Sequence, residues 1–143
     1  MDINNQKISI VKLKRVNVDG GDVLHVLKST DKEFNGFQEL YFSTIKFGYI
    51  KAWKRHLRMT MNLVVPIGSA QFVFYNTSME LIENTIIGEE NYSLITVPPG
   101  IWFGFKGLSQ QDSYILNVAD VLHDPNEVER QKISFLDFPR VEP

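Results

Sequence analysis

The chain has 143 residues, a formal net charge of -2, 43% hydrophobic and 22% charged residues, and no cysteine. That length suits one domain with its own core over residues 1–143, and the composition excludes a disordered chain. Near-neutral charge gives no footprint for nucleic acid or an anionic membrane, no stretch approaches the ~18 apolar residues of a membrane helix, and the lack of cysteine excludes disulfides, thiol catalysis and zinc–thiolate sites.

Residues 1–6 lack the basic start and apolar core of a signal peptide, so a cytoplasmic protein is expected. Strands are then expected at 8–16, 22–27, 40–45, 49–56, 59–65, 70–75, 93–97, 101–105 and 113–119. Turn signals separate them: Asp19-Gly20-Gly21, Asn35-Gly36, Pro66-Ile67-Gly68, Asn76-Thr77-Ser78, Pro98-Pro99-Gly100 and Gly107. Many short strands at close spacing indicate a sandwich or barrel. One short helix is expected at 124–132, with Asp124 as cap, Pro125 at the first position, and Glu127 and Glu129 favouring the positive N-terminal end. The aromatic tail Phe135-Leu136-Asp137-Phe138-Pro139 suits packing, either on the chain's own core or on another subunit.

Chemistry concentrates between Lys51 and Asn62. Lys51–Arg58 alone carries Lys51, Lys54, Arg55 and Arg58 around His56. Side chains of an extended segment alternate. Ala52, Lys54, His56 and Arg58 then share one face, continued by Thr60 and Asn62, while Lys51, Trp53, Arg55 and Leu57 share the other. One reading is a solvated edge strand. The apolar segments on both sides favour an interior one. Cations near His56 disfavour imidazolium, so a neutral His56 is expected at pH 7, fit to act as a general base. Lys54 is the expected proton donor or enolate stabiliser. Lys51, Arg55 and Arg58 are candidate contacts to a phosphate or carbonyl, although only a bulge would turn all of them to one side. A base beside such cations suits proton removal next to a carbonyl.

Further candidates lie elsewhere. Trp102 follows the Pro98-Pro99-Gly100 turn, where it is placed to stack on a base or sugar, and Lys106 shares its face within reach of a phosphate. Asn62 and Asn117 are amides inside apolar runs, and a ligand is one way to satisfy them. His123 precedes the expected helix as a turn residue or an active-site group. No metal and no cofactor are expected: Lys54 and Arg58 flank His56 at the spacing where a metal site needs ligands, and His25 and His123 are distant in sequence.

These residues also carry a resemblance. Tyr41-Phe42-Ser43, Gly48-Tyr49-Ile50-Lys51-Ala52-Trp53-Lys54-Arg55-His56, Asn62-Leu63-Val64-Val65-Pro66-Ile67-Gly68, Val97 through Phe105, Leu116-Asn117-Val118-Ala119-Asp120 and His123-Asp124-Pro125-Asn126-Glu127 resemble the dTDP-4-dehydrorhamnose 3,5-epimerase type of cupin over roughly residues 37–130. The resemblance implies a double-stranded β-helix jelly roll (all-β), a homodimer, no metal, and a nucleotide-linked 4-keto-6-deoxy sugar as substrate. It implies epimerisation or 3,4-ketoisomerisation, in surface-polysaccharide precursor synthesis. Lys54 stands where that family has its base His, and His56 where ketoisomerase-like relatives carry a second His. Phe103 replaces another family His, and Asn117 falls where the tyrosine acid is expected. A non-catalytic nucleotide-sugar-binding module is therefore the alternative.

Overall fold

The computed structural model describes residues 7–141. The N-terminal segment read above for a signal peptide lies outside them. Twelve strands run in chain order: β1 Ser9–Lys12, β2 Arg15–Val16, β3 Val23–Leu24, β4 Glu39–Ile45, β5 Ile50–His56, β6 Met61–Ile67, β7 Ser69–Tyr75, β8 Leu81–Gly88, β9 Ser93–Val97, β10 Trp102–Gly107, β11 Ser113–Ala119 and β12 Val128–Arg130. Ten of them form two antiparallel five-stranded sheets, ordered β1-β9-β6-β11-β4 and β12-β5-β10-β7-β8. The short β2–β3 hairpin stands apart.

The two sheets close on one core. The first contributes Ile45, Met61, Leu63, Val65, Ile95, Val97 and Ile115, and the second Phe72, Phe74, Ile87 and Phe103. The strand spacing implies a sandwich or barrel, and the form it takes is the cupin jelly roll that the resemblance implies. Inward and outward residues alternate on β4, where Tyr41 and Ser43 face in while Leu40, Phe42 and Thr44 face solvent.

Two expectations need correction. Residues 124–132 form no α-helix. Asp124 does cap, accepting a hydrogen bond from the Asn126 N–H, but only a 3₁₀ turn over Pro125–Glu127 follows. The chain then leaves as β12, pairing antiparallel with His56, Arg55 and Lys54. Ladder bonds to an open edge of β5 outweigh helix propensity in so short a segment. Strand β8 was not expected, because Glu83-Asn84-Thr85 interrupt its apolar pattern. It forms as the edge partner of β7.

A bulge in β5 shapes the interior. Phe103 of β10 pairs with Lys54, but the next residue, Gly104, pairs with Ala52, which leaves Trp53 over. Trp53 turns to the other edge and exchanges two backbone hydrogen bonds with Gln131. Regular alternation is thereby broken. Ala52 and Trp53 both pack on the outer layer with Val73, Tyr75 and Trp102, and Lys51 joins Lys54 on the inner side. Gly104 permits this approach: a Cβ there would lie 2.6 Å from the Ala52 Cβ.

The tail docks on the same outer layer. The Trp53 indole donates to the carbonyls of Ile133 (3.0 Å) and Leu136 (3.2 Å), Tyr75 donates to that of Asp137, and the Gln71 amide to that of Pro139. Phe138 lies against Trp53 and Phe135 edge-on to Trp102. The tail thus packs on its own chain, against the Trp53, Val73, Tyr75 and Trp102 cluster.

Candidate active site

A cavity of about 380 Å³ opens between the sheets, within the range of small-ligand pockets. Sheet β1-β9-β6-β11-β4 supplies Tyr41, Ser43 and Asn117. The facing sheet supplies Lys51, Lys54, Phe103 and Arg130. Three cations and no carboxylate line it. The Lys51 ammonium donates to the Thr44 carbonyl at 2.7 Å, tying β5 to β4 at the rim. Burial lowers the Lys54 pKa, and the Arg130 charge adds to that, while Glu127 opposes it. An anionic ligand would reverse this cost by compensating the cations.

His56 ends β5 and is only 4% exposed. It is not itself among the cavity-lining residues; its ring stacks on cavity-lining Phe103 with centroids 6.1 Å apart. Its Nδ1 hydrogen-bonds the carboxylate of Glu127, which is also buried. Glu127 accepts in addition from the backbone N–H groups of Arg58 (3.2 Å) and Met59 (3.3 Å). Burial works against the Glu127 charge, but the hydrogen bonds from His56 and from these two amides outweigh it and hold the carboxyl below its ordinary value. Burial also lowers the His56 pKa, opposed by Glu127 and assisted by Lys54 and Arg130. The pair is thus an ionised carboxylate and a neutral imidazole. Nδ1 donates to Glu127, and the unpartnered Nε2 carries the lone pair. Cations lower the pKa as the sequence suggests, yet desolvation is the larger cause.

Of the residues singled out from sequence, the structure brings Lys51, Lys54 and Asn117 to the cavity, with His56 beside it. Six others lie away from it. Arg55 points outward, 3.0 Å from Glu129 and over the Trp102 ring. Trp102 is buried in the outer layer between Arg55 and Phe135, with no face free for stacking. Lys106 does not line the cavity; its strand neighbour Phe105 does. Arg58 is exposed and pairs with Asp124 at 3.0 Å. Asn62 is satisfied by protein, accepting from the Thr96 hydroxyl and donating to the Glu33 carbonyl. His123 is exposed in a surface depression with Gln38, Arg58 and Asp120. Among the described residues, no group of three or more His, Asp or Glu side chains is placed to hold a metal ion.

The probable low-salt glycan biosynthesis epimerase Agl13 of Haloferax volcanii is 30% identical over 130 residues, which cover 85% of this chain and 83% of that protein. The chain belongs to the sugar-nucleotide epimerase and isomerase family. It is therefore an enzyme of the isomerase class. No protein-family model matches it. The crystal structure of a dTDP sugar isomerase from Desulfovibrio desulfuricans G20 superposes with a TM-score of 0.86 at 31% identity, covering 92% of this chain and 89% of that one. That of dTDP-4-dehydrorhamnose 3,5-epimerase from Sulfolobus tokodaii gives 0.79 at 20% identity, over 93% and 81% of the two chains, and supports the fold.

Sequence reasoning gave no catalytic part to Glu127, Arg130 or Tyr41. Glu127 was legible as a helix acid and as the end of the His123–Glu127 motif, but not as the partner of His56, which lies 71 residues away. Arg130 reaches the cavity because β12 is a strand. Tyr41 carried a signal: it is the polar aromatic on the inward-alternating set of β4.

The buried pair has a pH signature. Both groups hold their protons more weakly folded than unfolded, so the unfolded chain takes up protons first on acidification. Stability is expected to fall as pH drops below His56's ordinary value of 6.5 and again below the 4.5 of Glu127. Denaturant unfolding across pH 8 to 3 reads this, with Glu127→Gln removing the lower component. A wild-type profile flat from pH 7 to 4 would contradict it.

Proposed function

We propose that this enzyme removes a proton next to the carbonyl of a nucleotide-linked 4-keto-6-deoxy sugar, giving an epimer or a keto isomer. The observation that carries the reading is a buried His56, hydrogen-bonded to the Glu127 carboxylate, beside a cavity lined by Lys51, Lys54 and Arg130. Glu127 fixes the tautomer and stabilises the imidazolium that forms when Nε2 takes the proton. The cations hold the diphosphate and stabilise the enolate oxygen. The intact His56–Glu127 pair speaks against a binding-only module. The family's glycan and dTDP-sugar enzymes support a role in polysaccharide precursor synthesis, in the cytoplasm where nucleotide sugars are made.

A second reading has one specific observation behind it. Lys54 itself lines the cavity, and burial lowers its pKa. It is then the base, and His56 a buried support. Incubation with dTDP-4-keto-6-deoxyglucose in heavy water tests both. Wild type is expected to take up deuterium at a ring carbon beside the ketone. His56→Asn should lower that rate by about 10²–10⁴-fold. A loss confined to Lys54→Gln would transfer the role to Lys54. No uptake by wild type from any nucleotide 4-keto sugar would overturn the function.

We further infer a homodimer built on the outer face of β4 and β11. Leu40 and Phe42 are more than half exposed there, and Phe42 meets Tyr114 edge-on at 6.2 Å. An apolar sheet face of this kind suits a second copy. Light scattering should give twice the chain mass for wild type and a monomer for Phe42→Glu. A monomeric wild type at micromolar concentration would exclude it.

A further inference from the structure

Asn117 occupies the position where the resemblance leads one to expect a tyrosine acid. The structure shows what stands beside it. Tyr41 is the register partner of Asn117 on the neighbouring strand β4, and both line the cavity. The Asn117 amide donates to the Tyr41 hydroxyl oxygen at 2.9 Å and also contacts the Met59 sulfur at 3.6 Å. The phenol oxygen is thus satisfied as an acceptor, and its own O–H is left to donate to a ligand. Tyr41 belongs to the sheet that faces β5 across the cavity, so it stands opposite both candidate bases.

We propose that Tyr41, held by Asn117, is the acid that delivers a proton to the sugar ring carbon from the side opposite the base on β5. This rests on the proton-transfer reading above and deepens it. The step balances. The base on β5 takes the C–H proton, and the bonding pair becomes the enolate double bond, with charge on the carbonyl oxygen. The enolate carbon then takes the Tyr41 proton on its other face. The ketone is restored with inverted configuration, leaving a phenolate, and solvent returns the protons afterwards. Asn117 is a positioning residue: its N–H stabilises that phenolate and aims the ring. Burial, together with the charges of Glu39 and Glu127, raises the Tyr41 pKa against the Asn117 hydrogen bond, which keeps the phenol protonated at neutral pH.

Deuterium uptake and product formation, measured together on dTDP-4-keto-6-deoxyglucose, separate the two halves of the step. Tyr41→Phe is expected to keep uptake within about threefold of wild type while product falls by about 10²-fold or more. The surviving exchange also shows that the variant is folded. Asn117→Leu should lower product without lowering uptake, and should have no further effect in the Tyr41→Phe background. A purely structural role for Asn117 would lower both. Full product formation by Tyr41→Phe overturns this inference and leaves the function standing. Absence of both uptake and product in wild type overturns the function and this inference with it.

Discussion

The buried bond between His56 and Glu127 governs the arrangement of the site. A carboxylate out of water is costly unless its oxygens are occupied. Here the imidazole takes one oxygen, and the backbone amides of Arg58 and Met59 share the other. The same three bonds join the end of β5, the turn after it and the 3₁₀ turn that launches β12. That junction fixes where β12 begins, and so where Arg130 enters the cavity. The bond that orients the proposed base therefore also holds the end of β5 to the turn before β12.

The bulge at Trp53 is the second constraint. It sends two consecutive residues outward and returns two lysines, three apart, to the inside. The tail is bonded to the far side of the bulge through the Trp53 indole. A segment remote from the chemistry thereby holds the cationic wall in place. Removing its contacts acts on Lys51 and Lys54 through the backbone.

Most strands were legible because their apolar residues alternate between turn signals, and β9 and β11 match the expected limits. Strand β8 was not, since Glu83, Asn84 and Thr85 interrupt its apolar run on both faces, which an edge strand tolerates. The reading of the cationic segment assumed regular alternation, and a bulge breaks it. Pairing register, which composition does not show, decides that Lys51 faces in while Arg55 meets Glu129 and Trp102. Asn62 was a sound buried-amide argument with another outcome, because Thr96 and the Glu33 carbonyl supply its partners. The inward side of Tyr41 follows from alternation on β4, but its bond to Asn117 and that of Glu127 to His56 join segments far apart in sequence, and no local pattern encodes those.

The central claim is that His56 is neutral, protonated on Nδ1, and carries a free lone pair on Nε2. Nitrogen-15 NMR of the histidine-labelled protein reads this directly, with only His25 and His123 as other signals. At neutral pH the account predicts a protonated Nδ1 and an unprotonated, pyridine-type Nε2 for His56, persisting below pH 6.5. An imidazolium at neutral pH, or a proton on Nε2 in place of Nδ1, would contradict it.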